Sequence, residues 1–382
     1  MPTYARAPLT FVKGEGSWLI DENSEKYLDM GAGIAVNVLG HAHPDLVQVL
    51  QNQAENLWHT SNLYNVSNQK KLADVLVEET FAQTVFFTNS GTESMECAIK
   101  MARKFHYEKG MPERTKIITF EGSFHGRSIG MISAAGSEKL TKGFGPLLPG
   151  FVQIPFGDHE ALIAEIDETI AAIVIEPIQG EGGILPVPDQ CLKGLRDCCD
   201  ENGILLIFDE VITGFRFANG GAQELFGVTP DLSCFGKGIA NGFPISVIAG
   251  KREIMEGFKE VFFSGTFGGE LLSLTAANVD DQDLYIEELN PDNPEEYRTP
   301  TGFKPFETRS SIIMIKDAEP VTLTLRWTDN GPVLPGSHYD LASVTPPGHV
   351  VSLAWTALNP RDTSMAAALN LVAEGNMENA QG

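Results

Sequence analysis

Apolar runs of about five residues recur through the first two thirds of the chain, each ending in a small or polar residue. Runs this short and this uniformly apolar read as strands buried on both faces, too brief for free helices. The clearest are TVFFT at Thr84 to Thr88, KIITF from Lys116, AAIVI at Ala171 to Ile175 and ILLIF at Ile204 to Phe208. Between them the apolar period lengthens. NSGTESMECAIKMARKF predicts a helix with Ala98, Met101, Ala102 and Phe105 near one face, and Pro44 with Asp45 predicts a helix start, with Leu46, Val47, Leu50 and Ala54 facing inward. Nearer the N-terminus, FVKGEGSWLIDENSEKYLDM alternates about Gly16 and Asn23, the pattern of short strands joined by turns. Strand and helix alternate from about residue 80 to residue 250. The expected fold class is therefore α/β, a doubly wound and mostly parallel sheet.

Such sheets bind ligands beyond the carboxyl ends of their strands, and polar groups gather there in this sequence. Asp209 and Glu210 follow ILLIF, and Glu176, then Glu181 in a Gly-rich turn, follow AAIVI. Lys237 stands between Gly236 and Gly238, small neighbours that let a bulky group approach the backbone. A lysine so placed can form a Schiff base with an aldehyde, and an aspartate can hold a pyridinium nitrogen protonated, so the pair suggests a pyridoxal phosphate site. Taken singly, Asp209 also reads as a strand-end cap and Lys237 as a solvated loop residue. Strand, Ser90-Gly91-Thr92, helix is a phosphate cradle, since free N–H groups and the helix dipole attract an anion. Ser90 or Thr92 capping the helix explains the same residues. In FEGSFHGR, Phe124 can stack on a flat heteroaromatic ring or pack in the core, with His125 beside it, and Arg127 can grip a carboxylate or lie solvated. His41 and His43 flank no carboxylate cluster and read as turn residues, so no metal is expected.

Composition narrows the function classes. With 382 residues the chain can build two or three domains, and a net charge of −24 argues against nucleic acid or an anionic membrane as partner. Five cysteines without metal spacing read as reduced thiols, and neither an apolar leader nor a run of about 18 apolar residues is present. A soluble cytoplasmic protein is expected.

Residues 1 to about 205, with GIAVNVLGHAHP, NLWHTSNLYN, FFTNSGTES, FEGSFHGR, KGFGPLLPGF and EPIQGEGG, resemble the acetylornithine aminotransferases, class III pyridoxal-phosphate enzymes of arginine biosynthesis. The resemblance implies a fold-type-I large domain, a homodimer, and transfer of an amino group from an acetylornithine- or ornithine-like donor to 2-oxoglutarate. It also implies residue roles. Gly91 and Thr92 would bind the cofactor phosphate, Phe124 stack on the ring, Asp209 pair with the ring nitrogen, Val211 pack on the ring, and Lys237 carry the cofactor. Arg127 would bind the substrate carboxylate, and Thr266 would reach the phosphate in the neighbouring subunit.

Two departures qualify that picture. Such enzymes usually read DEVQ, whereas this chain carries Ile212, which cannot donate a hydrogen bond; DEVITGFRFANGGAQELFGVTPDL and KREIMEGF, within about 206 to 277, instead resemble glutamate-1-semialdehyde aminomutases. An aminomutase, or a chain that binds cofactor without turnover, is the alternative. Beyond it, DDQDLYIEELNPDNPEEY holds eight acids and no base, a linker pattern, and the tail alternates like β-hairpins. Within about 291 to 378, FKPFETRSSIIMIKDAEPVTLTLRWTDNGPVLPG resembles part of the penicillin-acylase family. The expected plan is an N-terminal segment (1–30), a cofactor-binding large domain (31–277), an acidic linker (278–297) and a β-rich tail (298–382) replacing the usual small domain. With that replacement no arginine is evident to match Glu181, which is expected to stand uncompensated near the substrate.

Overall fold

A computed structural model of the chain describes Thr3, residues 6–188 and 190–279, and the backbone of 288–289, 297–298 and 314–316. These residues fall into two units, one drawn from 1–31 with the late strand pieces, the other from 32–279. In the first, β1 (Phe11–Glu15), β2 (Trp18–Asp21) and β3 (Lys26–Asp29) form an antiparallel meander. Gly16, at φ +56°, makes the first turn, a conformation that glycine adopts freely. Asp21 makes the second, its Oδ1 accepting the N–H groups of Asn23 (2.9 Å) and Glu25 (2.8 Å).

The second unit is built on a seven-stranded sheet. Its strands are β4 (Thr84–Thr88), β5 (Lys116–Phe120), β6 (Phe151–Ile154) and β7 (Ile170–Ile175). After a small separate pair, β8 (Ile178–Gln179) and β9 (Leu185–Pro186), come β10 (Leu205–Glu210), β11 (Leu232–Phe235) and β12 (Ser246–Gly250). The order is β4-β12-β11-β10-β7-β5-β6, and β12 alone runs antiparallel to its neighbours. The mostly parallel doubly wound sheet read from the sequence is what forms. Alternate residues feed opposite faces. Ala172, Val174 and Ile207 pack against Met95, Ala98, Met101 and Ala102 of the helix Gly91–Glu108, while Ile173, Ile175, Leu206 and Phe208 meet Leu192, Leu195 and Cys199 of the helix Cys191–Asn202. Each such fully buried large side chain contributes about 1.5–3 kcal/mol. Helices covering both faces leave only the strand ends for ligands.

Two local expectations are corrected. The strand expected to stop at Phe208 continues, with Asp209 opposite Cys234 and Glu210 opposite Phe235, because both carboxylates find hydrogen-bond donors inside the fold. In the helix Pro44–Ala54 the inward face is Leu46, Val49 and Leu50, with Val47 and Ala54 exposed, as a strict 3.6-residue period from Leu46 requires.

Of the acidic linker and tail, the described parts are Asn278 and Val279, which close the helix Leu271–Ala277, and three short strands. Here β13 (Glu288–Leu289) pairs with β14 (Tyr297–Arg298), and β15 (Met314–Lys316) pairs antiparallel with β3. The rest of the expected linker and β-rich tail lies outside the described residues. Among the described residues no helix is long and apolar enough to cross a membrane, and all five cysteines are free.

Candidate active site

The carboxyl edge of the sheet brings together four loops, and glycines set how closely they meet. A Cβ on Gly91 would stand 2.7 and 2.9 Å from the methyls of Val211, and one on Gly236 would stand 3.3 Å from the same side chain. A Cβ on Gly126 would overlap the Thr92 side chain. So Val211 is clasped between the loop after β4 and the loop after β11, while the Phe124 loop closes on Thr92. A side-chain carbon at any of these three positions would have to displace its neighbour.

At the β4 end, Ser90 is the N-cap of the helix Gly91–Glu108, its Oγ accepting the Glu93 N–H at 3.3 Å. Capping and cradle coexist here: the hydroxyl oxygen is used, its proton is not, and helix geometry leaves the N–H groups of Gly91 and Thr92 unpaired for an anion. At the β10 end Asp209 is almost fully buried. Its Oδ1 accepts the Val211 N–H at 3.1 Å, and its Oδ2 meets His125 Nδ1 at 2.7 Å. Burial alone would depress the His125 pKa, but the hydrogen bond and charge of Asp209 outweigh it and raise it. His125 Nε2 is buried without a hydrogen-bond partner. The sequence placed His125 beside a ring; the structure makes it the partner of Asp209.

Lys237 opens a 3-10 turn with φ +45° after the extended Gly236. Burial pulls its pKa down, while the charges of Asp209 and Glu176 act in the opposite sense. A lysine with a lowered pKa keeps more of its amine neutral, which a nucleophile or base requires. Phe124 is half-buried, with the Arg127 guanidinium 5.4 Å from its ring centroid, and Arg127 itself is exposed. Ile212 leans on Gly180, where a Cβ would collide with its Cδ1. Thr266 is exposed.

Glu181, expected to stand uncompensated, has a cation beside it, and its charge also acts on Lys237. It is exposed on the surface, and Lys139 Nζ lies 3.8 Å from its Oε1, so its charge has a neighbour, though such an exposed pair contributes little. The arginines at 309, 326 and 361 lie outside the described residues.

Two residues were under-read. Glu176, noted only as a strand-end carboxylate, is buried and accepts the N–H groups of Phe124 (2.8 Å) and Gly180 (3.0 Å). Arg216, seen only as part of a motif, is buried and donates through Nε to Ile212 O (2.9 Å) and through Nη2 to Ala35 O (2.6 Å). Beside it Val38 packs within 3.0 Å of a Cβ placed on Gly238, and Asn241 bonds Leu39 N (2.8 Å) and Gly40 O (3.0 Å). This stitching holds the 35–40 segment against the lysine turn. The strand-end position of Glu176 was a usable signal, whereas a buried arginine bonded only to carbonyls leaves none.

The site fits pyridoxal phosphate by its donor set. A helix N-terminus with free N–H groups suits the phosphate, a buried carboxylate backed by a histidine suits a protonated ring nitrogen, and a buried amine with lowered pKa suits the aldehyde.

Comparison with known proteins agrees. The sequence model of aminotransferase class-III matches residues 2–280, and that of penicillin amidase matches residues 272–382. The acetylornithine aminotransferase of Rhodobacter capsulatus is 57% identical over 273 residues, covering 71% of this chain and 70% of its own. That of Agrobacterium fabrum is 52% identical over 277 residues, covering 72% and 69%. The ornithine aminotransferase of Toxoplasma gondii, in a structure where pyridoxal phosphate partly occupies the active site, superposes with a TM-score of 0.69 at 33% identity. It covers 73% of this chain and 67% of its own.

Proposed function

The chain belongs to the class-III aminotransferases, pyridoxal-phosphate enzymes, and from that premise we propose that it moves an amino group from an acetylornithine- or ornithine-like donor to 2-oxoglutarate. The observation that carries this reading is the meeting of Lys237, the Asp209–His125 pair and the Gly91–Thr92 helix N-terminus around Val211.

When bound, pyridoxal phosphate supplies an aldehyde that condenses with amines and a ring that draws electrons from the carbon bearing them. Gly91 and Thr92 hold the phosphate through their N–H groups, with the Ser90 hydroxyl as a further donor. Asp209 keeps a proton on the ring nitrogen, and His125 fixes the carboxylate. Phe124 and Val211 would pack on the ring and exclude water. Lys237 would hold the aldehyde, and its Nζ would accept the proton of the substrate carbon bearing the amine and return it to a neighbouring atom. Arg127, whose guanidinium lies over the Phe124 ring, would grip the substrate carboxylate bidentately.

The active form is a cytoplasmic homodimer. Trp58, Leu63, Tyr64, Phe262 and Phe267 are exposed. They lie on two segments joined by Asn62 Nδ2 to Gly265 O (2.7 Å) and Leu271 N to Trp58 O (2.9 Å), and Asn89 Nδ2 reaches Phe267 O at 3.0 Å beside the phosphate cradle. An apolar surface of this extent needs a cover, and a second copy would bring Thr266 to the neighbouring phosphate.

The test is spectroscopic. Adding pyridoxal phosphate to the purified chain should give a visible absorbance band that Lys237→Ala abolishes, and an unchanged band in the variant refutes the assignment. Acetylornithine and ornithine should bleach the band faster than 4-aminobutyrate or a semialdehyde. Preferential bleaching by the semialdehyde would favour the aminomutase alternative, to which Ile212 points.

A further inference from the structure

Glu176 has no part in the reaction just described, yet its carboxylate lies beside the groups that do. It follows β7 directly and is 4% exposed. Its Oε1 accepts the Phe124 N–H at 2.8 Å and its Oε2 accepts the Gly180 N–H at 3.0 Å. The two loops so joined carry different halves of the site. One holds Phe124, His125 and Arg127; the other holds Gly180, on which Ile212 leans, and Glu181. They meet with little slack. A Cβ on Gly182 would stand 2.7 Å from Gly122 O, one on Gly122 would stand 3.0 Å from Gln179 Oε1, and Gln179 Nε2 donates to Glu121 O at 2.9 Å. Three charged or titratable groups face the carboxylate: Asp209 from β10, His125 from the Phe124 loop and Lys237 from the turn after β11. Burial, then the charge of Asp209, push the Glu176 pKa up to about 7, while His125 and the two N–H groups pull it down.

We propose that Glu176 is a positioning residue, its two oxygens fixing the Phe124 loop against the Gly180 loop so that ring face, carboxylate clamp and Ile212 wall keep one spacing. The proposal rests on the pyridoxal phosphate reading above. A carboxylate serves because both of its oxygens accept. A glutamine satisfies one N–H and turns its amide nitrogen toward the other, which frees one loop. Because the Arg127 guanidinium lies over the Phe124 ring, a loop that shifts carries the clamp with it.

The experiment compares wild type, Glu176→Gln and Glu176→Asp. It measures pyridoxal phosphate affinity by fluorescence quenching, the pH dependence of the bound cofactor's visible absorbance, KM and kcat for the amine donor, and the melting temperature. Losing one charged-acceptor hydrogen bond predicts about a 10- to 100-fold rise in Kd and in KM for Glu176→Gln, with kcat less affected and the absorbance midpoint displaced. Glu176→Asp keeps the charge but reaches one carbon less, and should fall between the two. It supplies the same readouts if the glutamine variant does not fold. Wild-type affinity, KM and pH profile in both variants overturn the proposal, as does a lowered melting temperature with those three unchanged. If wild type itself develops no absorbance band on addition of pyridoxal phosphate, the functional reading fails, and this proposal with it.

Discussion

Replacing Glu210 by glutamine should change how stability depends on pH, and the structure fixes both sign and size. Glu210 is wholly enclosed at the end of β10. Its Oε2 accepts the Ala222 N–H at 2.5 Å and the Thr213 hydroxyl at 3.2 Å, and its Oε1 accepts the Gln223 N–H at 3.4 Å. Burial pushes its pKa from 4.5 to about 7, against the pull of those donors, with Asp209 adding a little upward. An acid whose pKa is higher folded than unfolded contributes stability that is complete below the unfolded value and is lost as pH rises through the folded one. At ~1.4 kcal/mol per pH unit the full loss is about 3 kcal/mol, of which roughly 2.5 kcal/mol falls between pH 5 and pH 8. Glu210→Gln is neutral throughout. At pH 5 it should be about 1 kcal/mol less stable, because its amide nitrogen faces the Gln223 N–H, and at pH 8 it should be the more stable protein. Urea unfolding of both proteins at pH 5, 6, 7 and 8 measures this, and the raised pKa of Glu176 cancels in the difference because both proteins carry it. Parallel stability curves would show that Glu210 titrates as an ordinary carboxyl and would refute the reasoning.

Gly91→Ala puts a methyl 2.7 Å from Val211, so the cradle must open; pyridoxal phosphate affinity should fall about 10-fold or more in a fluorescence titration, and an unaltered Kd would mean the seam yields freely. Asp231→Ala strips the acceptor of Leu206 N (2.7 Å), Arg196 Nη1 (2.9 Å) and Lys251 Nζ (2.5 Å) from a buried position. It should cost about 3–5 kcal/mol in chemical unfolding, and a loss below about 1 kcal/mol would show that the two cations find other partners.

The sequence told most where physics is local. Five-residue apolar runs could only be buried strands, and TVFFT, KIITF, AAIVI and ILLIF became β4, β5, β7 and β10 within one or two residues. The polar residues after them were legible as site candidates for the same reason, because a strand delivers its last residues to one edge. What stayed hidden depends on contacts distant in sequence. Nothing local marks β12 as the reversed strand, or Val211 as the side chain that Gly91 and Gly236 enclose. The surface position of Glu181 and its Lys139 neighbour were not legible, because a Gly-rich turn gives no hint of where its carboxylate points, whereas Glu176 follows a strand buried on both faces. The match of a penicillin-amidase sequence model beyond residue 272 accords with the change of texture read there.

The reversed strand also has a consequence for the order of events during synthesis. β4, which delivers the phosphate cradle, lies at the sheet's margin, and its partner in the sheet is β12, with Thr88 opposite Ser246. About 160 residues separate the two, so at ~5–20 residues per second a ribosome needs roughly 8 to 30 seconds to make the partner after making the strand. During that interval Ser90, Gly91 and Thr92 hang from a strand with an unpaired flank, and Val211 lacks the Gly236 wall. A nascent chain therefore lacks the strand that backs the phosphate cradle until β12 has emerged, and any product terminated earlier leaves the N–H and C=O groups along β4 without that partner, a template for association with other unfinished chains.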